Sequence, residues 1–312
     1  MKKPLQGKVG VVAGSARGAG RGIACRLGEA GATVYCTARS AEKLEETATM
    51  VTAHGGIGIA VRVDHTKPAE VEKLFARIAK EHGRVDVLVN NINADTLYQT
   101  KRSLDVPLET GLEILKTAIW SHIVNAHYAL PLMKRGLIVE ITDGDGFYYR
   151  GLLYYDLTKT NAIRLAMDFS AELRKKNIAA VAVTPGFLRS ELVLESLHVT
   201  EENWRDAVPK RPEFAESETP YFIGRAIAGL AADKDVMKKS GRVFNSLELA
   251  REYGFTDVDG RMPDVWTWLA NSKFHYRKID DEFYSYFKID YDAMAQEVEK
   301  VQREVKSIRK KK

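Results

Sequence analysis

The stretch that decides the fold is Gly14-Ser15-Ala16-Arg17-Gly18-Ala19-Gly20, a glycine-rich turn near the start of the chain. It directly follows the apolar run Lys8–Ala13, which predicts a buried strand, and it leads into a helical stretch from Arg21 to Ala30. Glycines at these positions allow a tight turn and a close approach of the backbone to a pyrophosphate, which the free N–H groups of the helix N-terminus would bind. A tight strand-to-helix turn without a ligand is the alternative, and the placement between a first strand and a first helix favours the phosphate site.

The rest of the first 245 residues repeats this alternation of short apolar runs and helical stretches. The pattern predicts strands at 33–37, 57–63, 85–89, 136–142, 178–184 and 241–244, and helices at 42–53, from Pro68 onward, and at 108–128, 154–175 and 219–232. Continuously apolar strands that alternate with helices indicate a parallel sheet covered on both faces. We therefore predict an α/β fold, a Rossmann-like doubly wound parallel sheet, as a single domain over residues 1–245 with a C-terminal extension.

Two regions depart from the alternation. Residues 187–218 are longer than a simple connection and carry Phe187, Leu192 and Trp204, which predicts a lid with a hydrophobic face toward a substrate. The extension, residues 246–312, is rich in aromatic and acidic residues and ends in an amphipathic helical pattern from Met294 to Ile308. The pattern fits packing against the same domain and pairing with a second chain equally well.

Bulk composition narrows the function class. The two cysteines are too few for a disulfide framework and favour a reducing compartment, the cytoplasm. No run approaches the roughly 18 apolar residues of a membrane span, so we expect no membrane partner. The net charge of +5 owes much to the terminal Arg309–Lys312, which we interpret as a solvated tail, so we expect no nucleic-acid partner. Seven scattered histidines without paired ligand spacing predict no metal site.

The side chains with catalytic chemistry are Tyr155 and Lys159. They stand four residues apart at the start of a predicted helix and so share one face. A nearby ammonium group favours the phenolate form of a tyrosine, which makes this pair a candidate general acid/base beside a hydride-transfer cofactor. A surface pair with no catalytic role is the alternative for so short a motif.

The cofactor type follows from the end of the second predicted strand. An NAD site usually carries an acidic residue there, whereas this strand ends in Thr37-Ala38-Arg39-Ser40. Arg39, together with Arg17 in the glycine-rich turn, suits bidentate contacts to a 2′-phosphate. The alternative is two solvated surface arginines, and the missing acid favours NADP(H).

Taken together, these motifs resemble the short-chain dehydrogenase/reductase family, in the family's order and over residues 7–245. The segment Ser240–Arg261 is similar to the C-terminal part of the branch called dehydrogenase/reductase family member 1. The resemblance implies that Asp64 contacts the adenine, that Asn90 lies beside the cofactor, that 185–190 meets the nicotinamide amide, and that the protein forms a homodimer or homotetramer. The full set of residues assigned to the cofactor is Gly14, Ala16, Arg17, Gly18, Ala19, Gly20, Arg39, Asp64, His65, Asn90, Lys159, Pro185, Gly186 and Ser190.

The chain departs from the family pattern at three places. The family's Asn-Asn-Ala-Gly is Asn90-Asn91-Ile92-Asn93 here, which should reshape the wall beside the nicotinamide. The position of the family's catalytic serine falls on Thr142 or Asp143; Thr142 would donate to a substrate carbonyl, whereas ionised Asp143 only accepts hydrogen bonds.

The third departure is Lys116, which falls at the position of the family's helix asparagine. We predict that Lys116 and Asp143 form a salt bridge or each find another polar partner at the pocket floor, because an unpaired buried charge is costly. Such a pocket favours a substrate with its own hydrogen-bond donor.

Two function hypotheses follow. In the first, the protein is an NADP(H)-dependent oxidoreductase for a small-molecule carbonyl/alcohol or imine/amine pair, with Tyr155 as acid/base, Lys159 tuning it and Thr142 orienting the substrate. In the second, it is a catalytically weakened NADP(H)-binding protein, a pseudoenzyme or regulator. The retained tyrosine and lysine favour the first hypothesis, and the missing serine favours the second.

Overall fold

The computed structural model describes residues 3–94, 105–272, 278–286 and 296–303. The chain divides into two compact units, Met1–Arg277 and Lys278–Lys312. The sequence predicts the division earlier, after Asn245. The difference arises because the residues that follow the last strand fold back onto the first unit, with Leu249 fully buried in its core.

The elements alternate along the first unit much as the sequence predicts. Their bounds are β1 Val9–Ala13, α1 Gly18–Glu29, β2 Thr33–Ala38, α2 Ala41–Ala53, β3 Ile57–Arg62, α3 Pro68–His82, β4 Val87–Asn90, α4 Leu108–Leu115, a π-helical segment Lys116–Trp120, α5 Ser121–Ala129, β5 Gly136–Ile141, α6 Leu153–Leu173, β6 Ile178–Thr184, α7 Glu191–Ser196, α8 Pro220–Ala232, β7 Val243–Asn245, α9 Ser246–Tyr253 and α10 Val265–Ala270.

The strands form one parallel sheet of order β3-β2-β1-β4-β5-β6-β7. Strand β1 pairs with β2 on one side and β4 on the other, so that Gly10 lies between Val34 and Val87. The strand order therefore reverses beside β1, and a sheet of this kind binds ligands outside the carboxyl ends of the strands at such a reversal. The predicted fold class, a Rossmann-like doubly wound sheet, is confirmed.

Helices cover both faces of the sheet because consecutive strand residues point to opposite sides. Val12 packs in a cluster with Ile23 and Leu27 of α1, while its neighbour Val11 packs with Leu74 on the other face. Each of these side chains is at most 2% exposed, and each contributes about 2 kcal/mol by burial. This two-sided core fixes the carboxyl ends of the strands, where the candidate site lies.

The predicted lid is a packed segment with a small core of its own. Trp204 and Phe214 meet edge to face with ring centroids 5.8 Å apart, and both are buried. Arg189, 2% exposed, stacks on Trp204 at 4.3 Å and donates to the carbonyl oxygen of Ser217. The prediction that Trp204 faces the substrate is therefore wrong, because its ring is used to hold this segment together. Phe187 and Leu192 do line the cavity described below.

The second unit, taken by itself, contains α11 at Asp281–Tyr286 and a helical stretch over residues 296–303. Val298 and Val301 of the predicted amphipathic helix fall in that stretch and are about half exposed. Met294, Val305 and Ile308 lie outside the described residues. Across the parts of the chain that the structure describes, no helix combines the length and the apolar character needed to cross a bilayer.

Candidate active site

A cavity of about 830 Å³ opens at the carboxyl ends of β1, β2, β4, β5 and β6. Its volume falls in the range of cofactor and substrate sites. Twelve of the residues predicted to contact the cofactor line it: Gly14, Ala16, Arg17, Gly18, Ala19, Arg39, Asp64, His65, Lys159, Pro185, Gly186 and Ser190. The motifs that the sequence separates by up to 176 positions therefore meet in one space.

The glycine-rich turn owes its shape to the absence of side chains. Gly14 and Gly18 have φ of +83° and +55°, in the left-handed region that other residues avoid. A Cβ on Gly20 would lie 2.1 Å from the carbonyl oxygen of Gly14. Gly20 thus allows the turn to close tightly on α1, and it is Gly14, Gly18 and Ala19 that face the cavity.

Basic side chains surround one end of the cavity. Arg17, Arg39 and Lys43 line it, and the acidic residue that an NAD site places after β2 is absent from the sequence there. Sequence reasoning missed Lys43, which lies in the first turn of α2, four residues after Arg39. Asp64 lies at this end too, where hydrogen bonds from the backbone and hydroxyl of Thr66 hold its carboxylate.

The floor between the two ends is a buried polar network, and it corrects the prediction for Asn90. Asn90 is fully buried, donates to Glu140 at 2.7 Å and accepts from Asn125 at 3.0 Å, so Asn91 rather than Asn90 lines the cavity. His122 bridges the other oxygen of Glu140, at 2.6 Å, and the carbonyl oxygen of Ile92, at 3.1 Å. This network holds the turn that replaces the family's Ala-Gly, in which Ile92 lines the cavity.

The network continues to His65 at the basic end. Its Nδ1 donates to Asn125 at 2.6 Å, and its Nε2 lies 2.9 Å from the hydroxyl of Thr37. Burial lowers the pKa of His65 to about 4, so the ring is neutral near pH 7. His65 therefore meets the cavity as an uncharged wall.

Tyr155 and Lys159 lie together at the opposite end, on the first turns of α6. The hydroxyl of Tyr155 donates to Oδ2 of Asp143 at 2.5 Å, and the ammonium of Lys159 lies 5.7 Å from the centre of the tyrosine ring. Burial lowers the pKa of Lys159 to about 8, against the opposing effect of the Asp143 carboxylate. The end of the cavity thus combines a phenol, a carboxylate and an amine whose pKa of about 8 lies well below that of an ordinary lysine.

The structure corrects the prediction for Thr142. Its hydroxyl donates to the backbone carbonyl oxygen of Lys159 at 2.7 Å, and the residue is 2% exposed. The single hydroxyl proton is therefore used within the protein instead of being directed at a substrate. Thr142 supports the start of α6, and Asp143 is the residue that contacts Tyr155.

The predicted salt bridge between Lys116 and Asp143 is wrong. Lys116 is exposed and lies outside the cavity lining, whereas the next residue, Thr117, is buried and lines it. The predicted continuous helix over 108–128 is interrupted here by the π-helical segment, whose extra residue per turn rotates the residues that follow. Asp143 finds its polar partner in Tyr155 instead.

The loop after β6 closes the cavity from the side and depends on an acid that sequence reasoning missed. Glu218, 1% exposed, accepts hydrogen bonds at one oxygen from the N–H of Gly186 and the hydroxyl of Ser246. Burial raises the pKa of Glu218 to about 8. No sequence motif indicates Glu218, because its partner Gly186 lies 32 positions earlier in the chain.

A second missed acid is Glu191, the first residue of α7. Its carboxylate accepts a hydrogen bond from the N–H of Gly18 at 2.7 Å and lies 3.5 Å from the guanidinium of Arg21. The lid segment therefore touches the glycine-rich turn directly. Among the described residues, no group of acids, histidines or cysteines is arranged to hold a metal ion.

The chain is similar in sequence and fold to known proteins. A family model described as short chain dehydrogenase matches residues 8–199. The chain is 36% identical over 271 residues to dehydrogenase/reductase SDR family member 1 of Mus musculus and of Homo sapiens, over 84% of this chain and 86% of each relative. A solved structure of a putative short-chain dehydrogenase/reductase from Burkholderia xenovorans is 26% identical with a TM-score of 0.68, and the match covers 78% of this chain and 96% of that one. The chain therefore belongs to the short-chain dehydrogenase/reductase family, whose members are oxidoreductases that use nicotinamide cofactors, NAD or NADP.

Proposed function

We propose that the protein is an NADP(H)-dependent oxidoreductase that transfers hydride between the nicotinamide and a small-molecule carbonyl/alcohol or imine/amine pair. The observation that carries the proposal is a single cavity that joins the glycine-rich turn and three basic residues at one end to Tyr155, Lys159 and Asp143 at the other. A dinucleotide needs both ends at once.

The residues present fit a dinucleotide phosphate. The tight Gly14–Gly20 turn presents the N-terminus of α1 to the cavity, and the N–H of Gly18 would bind a pyrophosphate oxygen there. Arg17, Arg39 and Lys43 would surround the 2′-phosphate, and Lys159 would hold the nicotinamide ribose. When bound, the nicotinamide supplies or accepts the hydride.

The protein's own part of the reaction is the movement of a proton at Tyr155. Its hydroxyl would give a proton to the substrate oxygen or nitrogen in reduction and take it back in oxidation. In the structure that proton is directed to Asp143. When a substrate accepts the Tyr155 proton, the Asp143 carboxylate oxygen beside it loses its hydrogen-bond donor. The site therefore favours a substrate with its own N–H or O–H donor over a simple ketone.

One observation favours the second candidate, an NADP(H)-binding protein without turnover. A serine hydroxyl both donates and accepts, whereas Asp143 holds the Tyr155 hydroxyl with an acceptor alone. A developing alkoxide beside an ionised Asp143 would be repelled. If that repulsion dominates, the cofactor binds and ordinary carbonyl reduction does not occur.

Fluorescence titration with NADPH and NADH, followed by NADPH oxidation assays on a carbonyl and imine panel, tests both candidates. We expect NADPH to bind at least about tenfold more tightly than NADH. Equal affinities would contradict the NADP(H) assignment. Turnover by the native protein supports the first candidate, the enzyme. The second candidate is supported if the native protein binds NADPH tightly without turnover and Asp143→Ser turns over ketones.

The assembly and location are proposed with the function. Exposed apolar side chains on α4 and α6, Leu108, Leu112, Leu153 and Leu157, provide a surface that a second copy would cover. This supports a homodimer or homotetramer, which light scattering during gel filtration would detect. Both cysteines are buried free thiols, which supports a cytoplasmic location that cell fractionation would test.

A further inference from the structure

The geometry points to Glu191 as a latch that occupies the pyrophosphate position of the glycine-rich turn and must be displaced when the cofactor binds. The inference rests on the proposed function only in requiring a dinucleotide cofactor. It concerns a residue of the lid segment that none of the family's motifs described above includes.

The Glu191 carboxylate lies at the N-terminus of α1. Gly18 is the first residue of α1, so its N–H has no partner within the helix. Glu191 Oε2 accepts a hydrogen bond from that N–H at 2.7 Å, across 173 residues of sequence. A charge-assisted bond of this kind is what a phosphate oxygen would make at the same N–H.

No residue in the first turn of α1 supplies this negative charge. Helix α1 has no acidic residue in its first turn, and the residue before it, Arg17, makes no side-chain capping bond. The positive end of the helix dipole therefore attracts an anion, and Glu191 supplies it from the lid segment. The carboxylate thus substitutes for the ligand's negative charge while the cofactor is absent.

The displaced Glu191 side chain still has a charged partner. The other carboxylate oxygen lies 3.5 Å from Arg21 of α1. The Glu191 side chain is about half exposed, so it can turn toward solvent while it keeps this ion pair. Release of Gly18 then requires rotation of one side chain, without unpacking of the buried lid core around Trp204.

The contact also links the cofactor site to the substrate end. Helix α7 begins with Glu191 and carries Leu192, Val193 and Ser196, all of which line the cavity. Ser190, directly before the helix, lies against the turn, where a Cβ on Gly18 would be 3.5 Å from its own. Displacement of the Glu191 side chain by the cofactor would therefore take place on a helix that forms part of the cavity wall.

The test is the affinity for NADPH of Glu191→Gln, which keeps the shape and removes the charge. We expect its Kd to fall by about fivefold, because the cofactor no longer competes with a charge-assisted bond. The matched control is Glu195→Gln, an exposed glutamate on the same short helix, whose Kd should stay within about twofold of the native value. Each variant is also titrated with adenosine 2′-monophosphate, which has no pyrophosphate and whose affinity Glu191→Gln should leave unchanged.

Three outcomes would overturn the latch. Unchanged or weaker NADPH binding by Glu191→Gln means that the carboxylate does not compete with the cofactor. Equal tightening in Glu195→Gln, or equal tightening toward adenosine 2′-monophosphate, means a general effect of net charge. If neither the native protein nor Glu191→Gln binds NADPH or NADH, the proposed function fails and the latch with it, whereas binding by Glu191→Gln alone would support both.

Discussion

The two ends of the cavity were built under different constraints. At the glycine-rich end the backbone determines the site, since Gly14 and Gly18 adopt positive φ and Gly20 packs directly on Gly14. At the proposed catalytic end side chains determine it, and the carboxylate of Asp143 lies 2.5 Å from the hydroxyl of Tyr155. The glycine-rich end tolerates few substitutions. The end with Tyr155 and Asp143 can change its chemistry while the fold stays the same.

The difference shows how function can diverge on one scaffold. In a site shaped by the backbone, even a small substitution is excluded. A Cβ on Gly20, only 2.1 Å from the carbonyl oxygen of Gly14, cannot be accommodated. A side-chain site exchanges a hydroxyl for a carboxylate at little cost when a neighbouring phenol donates to it. We therefore expect the proposed cofactor binding and substrate choice to be separable by mutation, and the following predictions test that separation.

The largest expected effect is that of Tyr155→Phe on turnover. Removal of the hydroxyl deletes the proposed proton donor, so the turnover number with any substrate found should fall by about 100-fold or more. NADPH affinity should change little, because the cofactor is held mainly at the other end. Steady-state assays and fluorescence titration measure the two quantities.

The control for this variant is Tyr149→Phe. Tyr149 is exposed and lies outside the cavity lining, so the same chemical deletion there should leave turnover unchanged. Full activity in Tyr155→Phe would rule out the acid/base assignment whatever Asp143 does. An equal loss of NADPH affinity would instead show that the two ends are not separable.

The next effect concerns the loop that closes the cavity, through Glu218. Burial raises the pKa of this carboxyl to about 8, so the folded protein holds a proton that the unfolded chain releases near its ordinary pKa of 4.5. Stability should therefore fall as the pH rises from about 5 to 8. Glu218→Gln cannot ionise and keeps an acceptor for the N–H of Gly186, so this fall should be smaller in the variant by about 2 kcal/mol.

Urea unfolding at pH 5 and pH 8 measures the free energy of unfolding for both proteins. The matched control is Glu216→Gln, two residues earlier, which lacks the hydrogen bond to Gly186. If the free energy of unfolding falls equally in the native protein and in Glu218→Gln between the two pH values, Glu218 ionises normally. That result would leave the buried carboxylate as an ordinary charged partner of the loop.

Features of the fold and the site that depend on local sequence signals could be predicted from the sequence. The seven strands and the cavity's glycine-rich end could be predicted, since apolar periodicity and glycine placement are local signals. The proximity of Tyr155 and Lys159 could be predicted because the two residues stand four apart on one helix. These features depend on residues close together in the chain.

The rest required tertiary contacts that local patterns do not encode. The orientation of the Thr142 hydroxyl depends on the carbonyl oxygen of Lys159, 17 positions later. Lys116 is exposed at the start of a π-helical segment that no local sequence pattern indicates. Glu191 and Glu218 act on Gly18 and Gly186 across long stretches of chain, so nothing near them in sequence indicates their partners.

A smaller effect is expected at the basic end from Arg39→Asp. If Arg39 contacts the 2′-phosphate, its replacement by an acid should weaken NADPH binding by about tenfold, equivalent to about 1.4 kcal/mol, and should leave NADH binding unchanged or improved. NADH is thus the internal control, because it lacks only that phosphate. Equal weakening of both cofactors would mean that the substitution damages the fold of the turn, and no weakening would remove Arg39 from the site.

The smallest expected effect is that of Asp143→Asn on Lys159, and it tests whether the two charges at the catalytic end act on each other. Burial lowers the pKa of Lys159 to about 8, and the Asp143 carboxylate opposes that shift by favouring the ammonium form. Without the carboxylate the pKa should fall further, by about half a unit, since water in the open cavity screens the pair. Lysine ε-carbon NMR, with the Lys159 signal assigned by Lys159→Arg, follows the titration. Asp168→Asn, an exposed acid on the same helix, should leave the Lys159 titration unmoved. An unchanged Lys159 pKa in Asp143→Asn would show that the two groups do not act on each other, and a rise would contradict the attraction between them.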